Sequence, residues 1–114
     1  MLTWDDVCRI AASLPDVEPG LSYGSPTYKI NGRGFVHRGR VDGAIALPLA
    51  EDDAQLLMRA KPDVYFVTPH YEGWGVLLRL DAADENELAG AIEDAYEYQR
   101  AKKPLRPRTK RGNA

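Results

Sequence analysis

Near the start of the chain, apolar residues recur at the spacing of an amphipathic helix. Trp4, Val7, Cys8 and Ala11 occupy positions i, i+3, i+4 and i+7, and Pro15 ends the pattern. Residues on one face of a helix recur in this way because each turn takes 3.6 residues. The first element is therefore predicted to be a helix, in which Cys8 packs as a small apolar residue.

Two short stretches that favour strands flank a glycine-rich turn in the next part of the chain. Residues 27–30 and 35–38 surround residues 31–34, Asn-Gly-Arg-Gly, a composition typical of a β-hairpin turn. Regular alternation predicts a core face and a solvent face for this hairpin. The core face would hold Tyr28, Ile30, Phe35 and His37, and the solvent face would hold Thr27, Lys29, Val36 and Arg38.

The remaining patterns complete an α+β order. Residues 16–26 are rich in Pro and Gly and are predicted to form a loop. A three-residue turn after the hairpin would place His37 opposite Leu47. The order α-β-β-β-α-β-β-α predicts an α+β two-layer sandwich, in which an antiparallel sheet of about five strands carries helices on one face. The later elements are a strand, a helix, two strands and a long helix, over residues 44–49, 51–60, 64–68, 76–80 and 84–102.

Charge is distributed unevenly along the chain. The 114 residues include 15 Lys and Arg and 17 Asp and Glu, for a net charge of −2. Six cations and no acid follow residue 101, so residues 1–101 carry −8 and residues 102–114 carry +6. The basic segment has one sizeable apolar residue, and we predict a single folded domain over 1–101 and a disordered tail over 102–114. The tail cations are Lys102, Lys103, Arg106, Arg108, Lys110 and Arg111.

Cysteine content and hydropathy indicate the cellular compartment in which the protein is expected. The single Cys8 cannot form an intramolecular disulfide, and no stretch reaches the roughly 18 apolar residues of a membrane span. The acidic start, Met-Leu-Thr-Trp-Asp-Asp, lacks the basic region of a secretion signal. These features predict a soluble, cytoplasmic protein without a membrane partner.

Familiar catalytic patterns are absent from the sequence. It contains no G-x-S-x-G, no P-loop, no dinucleotide fingerprint, no H-E-x-x-H and no C-x-x-C. Neither His37 nor His70 has a carboxylate or a second histidine at ligand spacing, so we expect no metal and no cofactor. The sequence favours a binding protein over an enzyme.

Residues 68–75, Thr-Pro-His-Tyr-Glu-Gly-Trp-Gly, concentrate an imidazole, a phenol and an indole in one turn. Aromatic loops of this kind often bind a ligand or stack on a nucleobase, which would involve His70, Tyr71 and Trp74. The alternative is structural, because Tyr71 and Trp74 could instead fold back over the sheet. The sequence leaves both interpretations open.

The hairpin region is basic and free of acids from residue 19 to residue 41. Its cations, Lys29, Arg33, Arg38 and Arg40, suit contacts to phosphates from a projecting hairpin. They are equally suited to protecting a solvent-facing strand from pairing with another chain. The charge of −8 on residues 1–101 opposes binding to a phosphate backbone, unless the helices carry the acids on another side.

Six short motifs follow one another along the chain: Trp4, residues 13–18, residues 23–28, residues 31–33, residues 68–71 and residues 76–80. Their combination and order resemble those of the MmcQ/YjbR family of small bacterial proteins. The resemblance covers roughly residues 4–103 and implies an α+β sandwich similar to frataxin-like and secretion-chaperone-like folds. It also implies DNA binding, and it transfers no catalytic residue. The matching positions imply a shared surface at Tyr23, Pro26, Thr68, His70, Tyr71 and Arg79.

Two functional hypotheses follow. In the first, the protein binds DNA or another nucleic acid through the basic hairpin and the tail, with Tyr71 or Trp74 stacking on bases. In the second, the aromatic loop at residues 69–75 and the surface around Tyr23 bind a small ligand or a protein partner, without catalysis.

Overall fold

The computed structural model describes residues 1–102, and the predicted disorder of the tail beyond Lys102 lies outside the described residues. Three α-helices and six strands follow one another along this part of the chain. The helices are α1 (Trp4–Ala12), α2 (Glu51–Ala60) and α3 (Glu85–Arg100). The strands are β1 (Val17–Ser22), β2 (Ser25–Ile30), β3 (Arg33–His37), β4 (Ala44–Pro48), β5 (Tyr65–Phe66) and β6 (Gly75–Arg79).

The strands form one antiparallel sheet in the order β1-β2-β3-β4-β6-β5. All three helices pack on the same face of this sheet and share one hydrophobic core with it. Buried residues of α3, including Leu88 and Ile92, meet Ile45 and Leu78 of the sheet in this core. The predicted α+β two-layer sandwich is therefore confirmed.

The sheet has one more strand than the sequence predicted, because β1 occupies part of the expected loop at 16–26. Tyr23 and Gly24 both have positive φ, 51° and 82°, and form a two-residue turn that pairs β1 with β2. Pro19 is tolerated within β1 because this strand lies at the edge of the sheet, where a missing N–H leaves no ladder incomplete.

The pairing of β2 with β3 corrects the predicted faces of the hairpin. Tyr28 pairs with Val36 and Lys29 pairs with Gly34, so the ladder passes over Phe35 as an extra residue. An extra residue reverses the alternation beyond it. As a result, Val36 joins the helix-covered core, contrary to the prediction, while Phe35 stays there as expected.

His37 consequently lies on the face of the sheet that carries no helix, not in the main core as predicted. It pairs with Thr27 on one side and with Ala46 on the other, whereas Leu47 was the expected partner. Ala46 belongs to a second, smaller cluster on this face, together with Leu77 and Tyr71. The buried Tyr71 ring thus covers Leu77, a residue that alternation alone places on the uncovered side.

Candidate ligand-binding pocket

A pocket of about 770 Å³ opens on the side of the sheet without helices. Three stretches of chain line it: the β1–β2 turn around Tyr23, the segment from Gly32 to Arg40, and the turn from His70 to Trp74. Gln99, near the end of α3, completes the lining. Pairing of the strands is what brings these distant segments together, since more than 40 positions separate the first from the third.

Packed aromatic rings build one wall of the pocket. The indole of Trp74 contacts the His37 imidazole edge to face, with 5.3 Å between ring centroids, and lies 5.5 Å from the ring of Tyr71. His70 stands edge to face with Tyr71 at 4.7 Å. Trp74 remains 38% exposed, so part of its ring is available for contact with a ligand.

Tyr71 connects this wall to the loop after β3. Its hydroxyl oxygen accepts a hydrogen bond of 3.2 Å from the backbone N–H of Arg40. Gly39, with φ of 76°, passes so close that a Cβ there would lie 3.1 Å from the same oxygen. The hydrogen bond fixes the backbone from which the Arg40 side chain enters the pocket lining.

His37, the last residue of β3, lines the pocket with a side chain that is largely buried. Burial lowers the pKa of its imidazole, and the positive charge of Lys29 lowers it further. A hydrogen bond with the Gly34 backbone acts in the opposite direction. Beneath it, the buried hydroxyl of Thr27 donates a hydrogen bond of 2.8 Å to the carbonyl oxygen of Val36. His37 therefore contributes to the pocket as a neutral ring near neutral pH.

The structure brings together six of the residues named from the sequence. Two of them are cationic and four carry rings, and no carboxylate accompanies them among the described residues that line the pocket. This composition suits an anionic ligand that also has a flat ring. The six are Tyr23, Arg33, Arg40, His70, Tyr71 and Trp74.

Other named residues lie elsewhere. The Lys29 side chain runs along Gly20 of β1, and Arg38 is exposed beside a smaller groove of about 330 Å³ near Trp4. Arg79 lies over the ring of Phe66, 4.0 Å from its centroid. Thr68 supports the aromatic turn through its carbonyl oxygen, which accepts from the Tyr71 N–H at 2.9 Å.

The predicted cations of the basic tail are almost all beyond the described chain. Lys102 is the exception, and its ammonium lies 4.2 Å from the centre of the Tyr98 ring on α3. Lys103, Arg106, Arg108, Lys110 and Arg111 lie outside the described residues.

Sequence reasoning missed Gln99 and His37 as pocket residues. The Gln99 side-chain amide donates a hydrogen bond of 2.8 Å to the carbonyl oxygen of Gly34, while its own Oε1 is buried without a partner among residues 1–102. Gln99 as a whole is only 9% exposed. A glutamine on the apolar stripe of a helix was the available signal, because a buried amide needs polar partners.

Opposite charges separate between the two layers of the fold. Ten of the seventeen acidic residues lie within α1, α2 and α3. Within residues 1–102, three cations on this side form ion pairs with acids: Arg9 pairs with Asp6 and Glu85, Lys61 with Glu87, and Arg100 with Glu97. On the other side, Lys29 and Arg40 have no carboxylate within 4.0 Å in the described part of the chain.

Residues 1–102 contain neither a cluster of metal-ligating side chains nor a helix that could cross a membrane. No group of three or more His, Cys, Asp or Glu side chains is arranged to hold a metal ion. No helix in this range is both long enough and apolar enough to cross a membrane.

The chain is a small α+β sandwich with a pocket on the face of its sheet that carries no helix. The YjbR family model matches residues 12–98, and the chain belongs to this family, as its sequence motifs had indicated. Two mycobacterial relatives, the uncharacterised proteins Rv2570 of Mycobacterium tuberculosis and Mb2600 of Mycobacterium bovis, are each 29% identical over 118 residues. Each alignment covers 90% of this chain and 92% of the relative.

A solved structure shares the fold. The Deinococcus radiodurans protein DR2400, whose family-model domain is DUF419, superposes with a TM-score of 0.70 over 84% of this chain and 77% of its own. The two sequences are 19% identical, so the likeness concerns the architecture alone.

Proposed function

We propose that the protein binds nucleic acid through the side of the sheet that carries no helix. The observation that carries this proposal is the separation of charge between the layers. A net charge of −8 on residues 1–101 argues against phosphate binding only if the acids face the phosphates, and most of them lie within the helices on the opposite side.

The uncovered side offers what a nucleic acid strand requires. Arg33 and Arg40 line the pocket, Lys29 projects from β2 nearby, and Trp74 supplies a partly exposed ring. Cations bind phosphates without regard to sequence, whereas aromatic rings stack on bases. The cations of the basic segment, from Lys103 to Arg111, would add to the same electrostatic attraction if they contact the phosphates.

A matched pair of single substitutions tests this proposal. Arg40→Ala removes a cation from the pocket side, and Arg59→Ala removes an exposed cation from α2 on the helical side. Fluorescence anisotropy with labelled single-stranded and duplex DNA should be measured at about 50 mM and about 200 mM salt. Both variants lower the net charge of the chain equally, so any difference between them reports where the phosphates lie.

We expect Arg40→Ala to weaken binding about threefold to tenfold at the lower salt concentration and to reduce the salt slope by about 0.7 to 0.9. Arg59→Ala should leave both quantities unchanged. Absence of binding at low salt would overturn the proposal. Equal losses in the two variants would show that net charge, not this face, controls association.

A second candidate function is the binding of a free small anion with a ring. The observation that favours it is the pocket itself, whose volume of about 770 Å³ falls within the range of small-molecule sites. Ligand titrations that give binding without any affinity for DNA would select this alternative. We propose no reaction for either function.

A further inference from the structure

We propose that the pocket receives one unpaired nucleotide of a bound strand, with its base against Trp74 and its phosphate near Arg33 and Arg40. The inference rests on the proposed function and deepens it, because it names the unit that the pocket takes and the form of nucleic acid that can supply it.

The shape of the site is the first argument. A volume of about 770 Å³ is larger than a single phosphate needs and is within the range of sites for whole small molecules. In a duplex, both faces of a base are covered by its neighbours, so stacking on a protein ring requires an unstacked base. A concave site with an aromatic wall therefore selects a single strand or a frayed end.

The aromatic rings of the pocket are placed so that a base can stack on Trp74. Trp74 is held by its edge-to-face contact with His37 and by Tyr71 at 5.5 Å, yet 38% of its surface remains exposed. A ring fixed on two sides and open on another loses little conformational freedom when a base stacks on it. Tyr23, fully exposed on the β1–β2 turn, stands at the rim of the same pocket.

The third argument is the unmet polar group in the lining. Gln99 is 9% exposed, its amide nitrogen donates a hydrogen bond to the Gly34 carbonyl, and its buried Oε1 has no hydrogen-bond partner in the part of the chain that the structure describes. An unpaired buried acceptor costs free energy unless a donor reaches it. Nucleobases carry N–H donors on their edges, whereas a simple inorganic anion carries none.

The chain contains two tryptophans, and this allows a direct measurement. In a Trp4→Phe variant, Trp74 is the single indole, and its fluorescence reports on the pocket. The probes are adenosine 5′-monophosphate, a single strand of about 12 nucleotides, a blunt duplex of the same sequence, and that duplex with an unpaired overhang. We expect the single strand and the overhang to quench Trp74, and the blunt duplex to leave it unchanged.

Affinities of pocket variants complete the test. Trp74→Ala should weaken single-strand binding about fivefold or more and leave duplex binding unchanged, whereas Trp74→Phe should retain most of the affinity. Gln99→Leu, which removes the unpaired oxygen together with the amide that bonds the Gly34 carbonyl, should also weaken single-strand binding. Circular dichroism of each variant establishes that the fold is intact, and the conservative Trp74→Phe variant keeps the comparison valid if Trp74→Ala unfolds.

The outcomes separate the inference from the proposed function. If single strands and blunt duplexes bind equally and Trp74→Ala changes neither affinity, the inference is wrong and nucleic acid binding stands. If no oligonucleotide binds at low salt, both fail. If adenosine 5′-monophosphate quenches Trp74 and no oligonucleotide does, the pocket binds free nucleotides, and the inference that it receives a nucleotide of a strand is wrong.

Discussion

The imidazole of His37 lies over Gly34, three positions earlier in the same strand. A Cβ added to Gly34 would fall well inside van der Waals contact with Cε1 of that ring, 2.9 Å from its Nε2 and 3.0 Å from the Thr27 hydroxyl oxygen. Only a residue without a side chain leaves room for the histidine at the pocket wall.

Gly34→Ala should therefore destabilise the protein by about 1 to 3 kcal/mol, because the ring must move away from its contact with Trp74. Urea denaturation measures the change. Gly90→Ala is the control, since that helical position is open and alanine should stabilise it by about 0.5 to 1 kcal/mol. If the alanine at position 34 clashes with the His37 ring, then removing that ring in a Gly34→Ala, His37→Ala double variant should restore part of the lost stability. A double variant no more stable than Gly34→Ala alone would contradict this explanation.

The pH dependence of stability should contain a contribution from His37. Burial lowers its pKa in the folded state, so the unfolded chain binds the proton more readily. Stability from this residue is complete above its unfolded pKa of about 6.5 and falls as the pH decreases toward the lowered folded value. The His37→Gln variant should lack this loss. Thermal denaturation of both proteins between about pH 8 and pH 5 gives the difference, and parallel curves would disprove it.

Tyr71→Phe isolates the hydrogen bond to the Arg40 backbone. The ring stays packed over Leu77 while its hydroxyl acceptor is lost, which should cost about 0.5 to 1.5 kcal/mol. Tyr71→Ala removes the ring as well and should cost about 3 to 5 kcal/mol. Chemical denaturation distinguishes the two. Equal losses would mean that the bond, and not the covering ring, is what holds this turn.

Glu87 joins three elements on the helical side. Its carboxylate accepts from the Tyr65 hydroxyl and pairs with Lys61, and these partners lower its pKa. Glu87→Gln should cost about 1 to 3 kcal/mol at neutral pH. The difference from wild type should shrink in acid, because stability from a lowered pKa is lost as the pH falls through that pKa.

Glu85→Gln serves as the control for the Glu87 prediction. Glu85 is an exposed partner of Arg9, and its substitution should change stability by less than about 0.5 kcal/mol. If the two glutamine variants are equally stable when unfolded with urea, the buried network around Tyr65 contributes nothing beyond a surface ion pair.

Removal of residues 103–114 tests the basic segment. The helices and strands described within residues 1–102 all lie outside the deleted segment, so the far-ultraviolet circular dichroism of this fold should persist. The deletion removes Lys103, Arg106, Arg108, Lys110 and Arg111. If all five contact phosphates of a single strand, the slope of log affinity against log salt should become shallower by up to about 3.5. An unchanged slope would exclude the segment from the interface.

Local patterns were sufficient for the helices and for the class of the fold. The long helix predicted from residue 84 begins there in the structure, where the Asp84 carboxylate caps α3 by accepting from the Glu87 N–H at 2.7 Å. The strand at 17–22 was missed because Pro19 and Gly20 disfavour a strand locally, and only pairing with β2 stabilises it. Propensity describes a residue and its neighbours, whereas an edge strand depends on its partner.

The sequence predicted only part of the pocket. Concentrated aromatics drew attention to His70, Tyr71 and Trp74, and the structure places them with Tyr23 in one pocket. Arg38 and Arg79, which looked equivalent to Arg40 by charge, lie apart from it. Which cations meet which rings depends on strand register and on the path of the chain after β3, and neither can be derived from spacing.

The extra residue at Phe35 acts as a phase shift in the strand. Phe35 and Val36 are consecutive residues, and both enter the core. The alternation beyond them is therefore reversed, and His37 lies on the uncovered face of the sheet. If β2 and β3 paired without this bulge, regular alternation would place His37 on the same face as Phe35, in the apolar interior. The bulge is therefore what separates the pocket wall from the core, because it lets Phe35 and Val36 both enter the core while His37 faces the pocket.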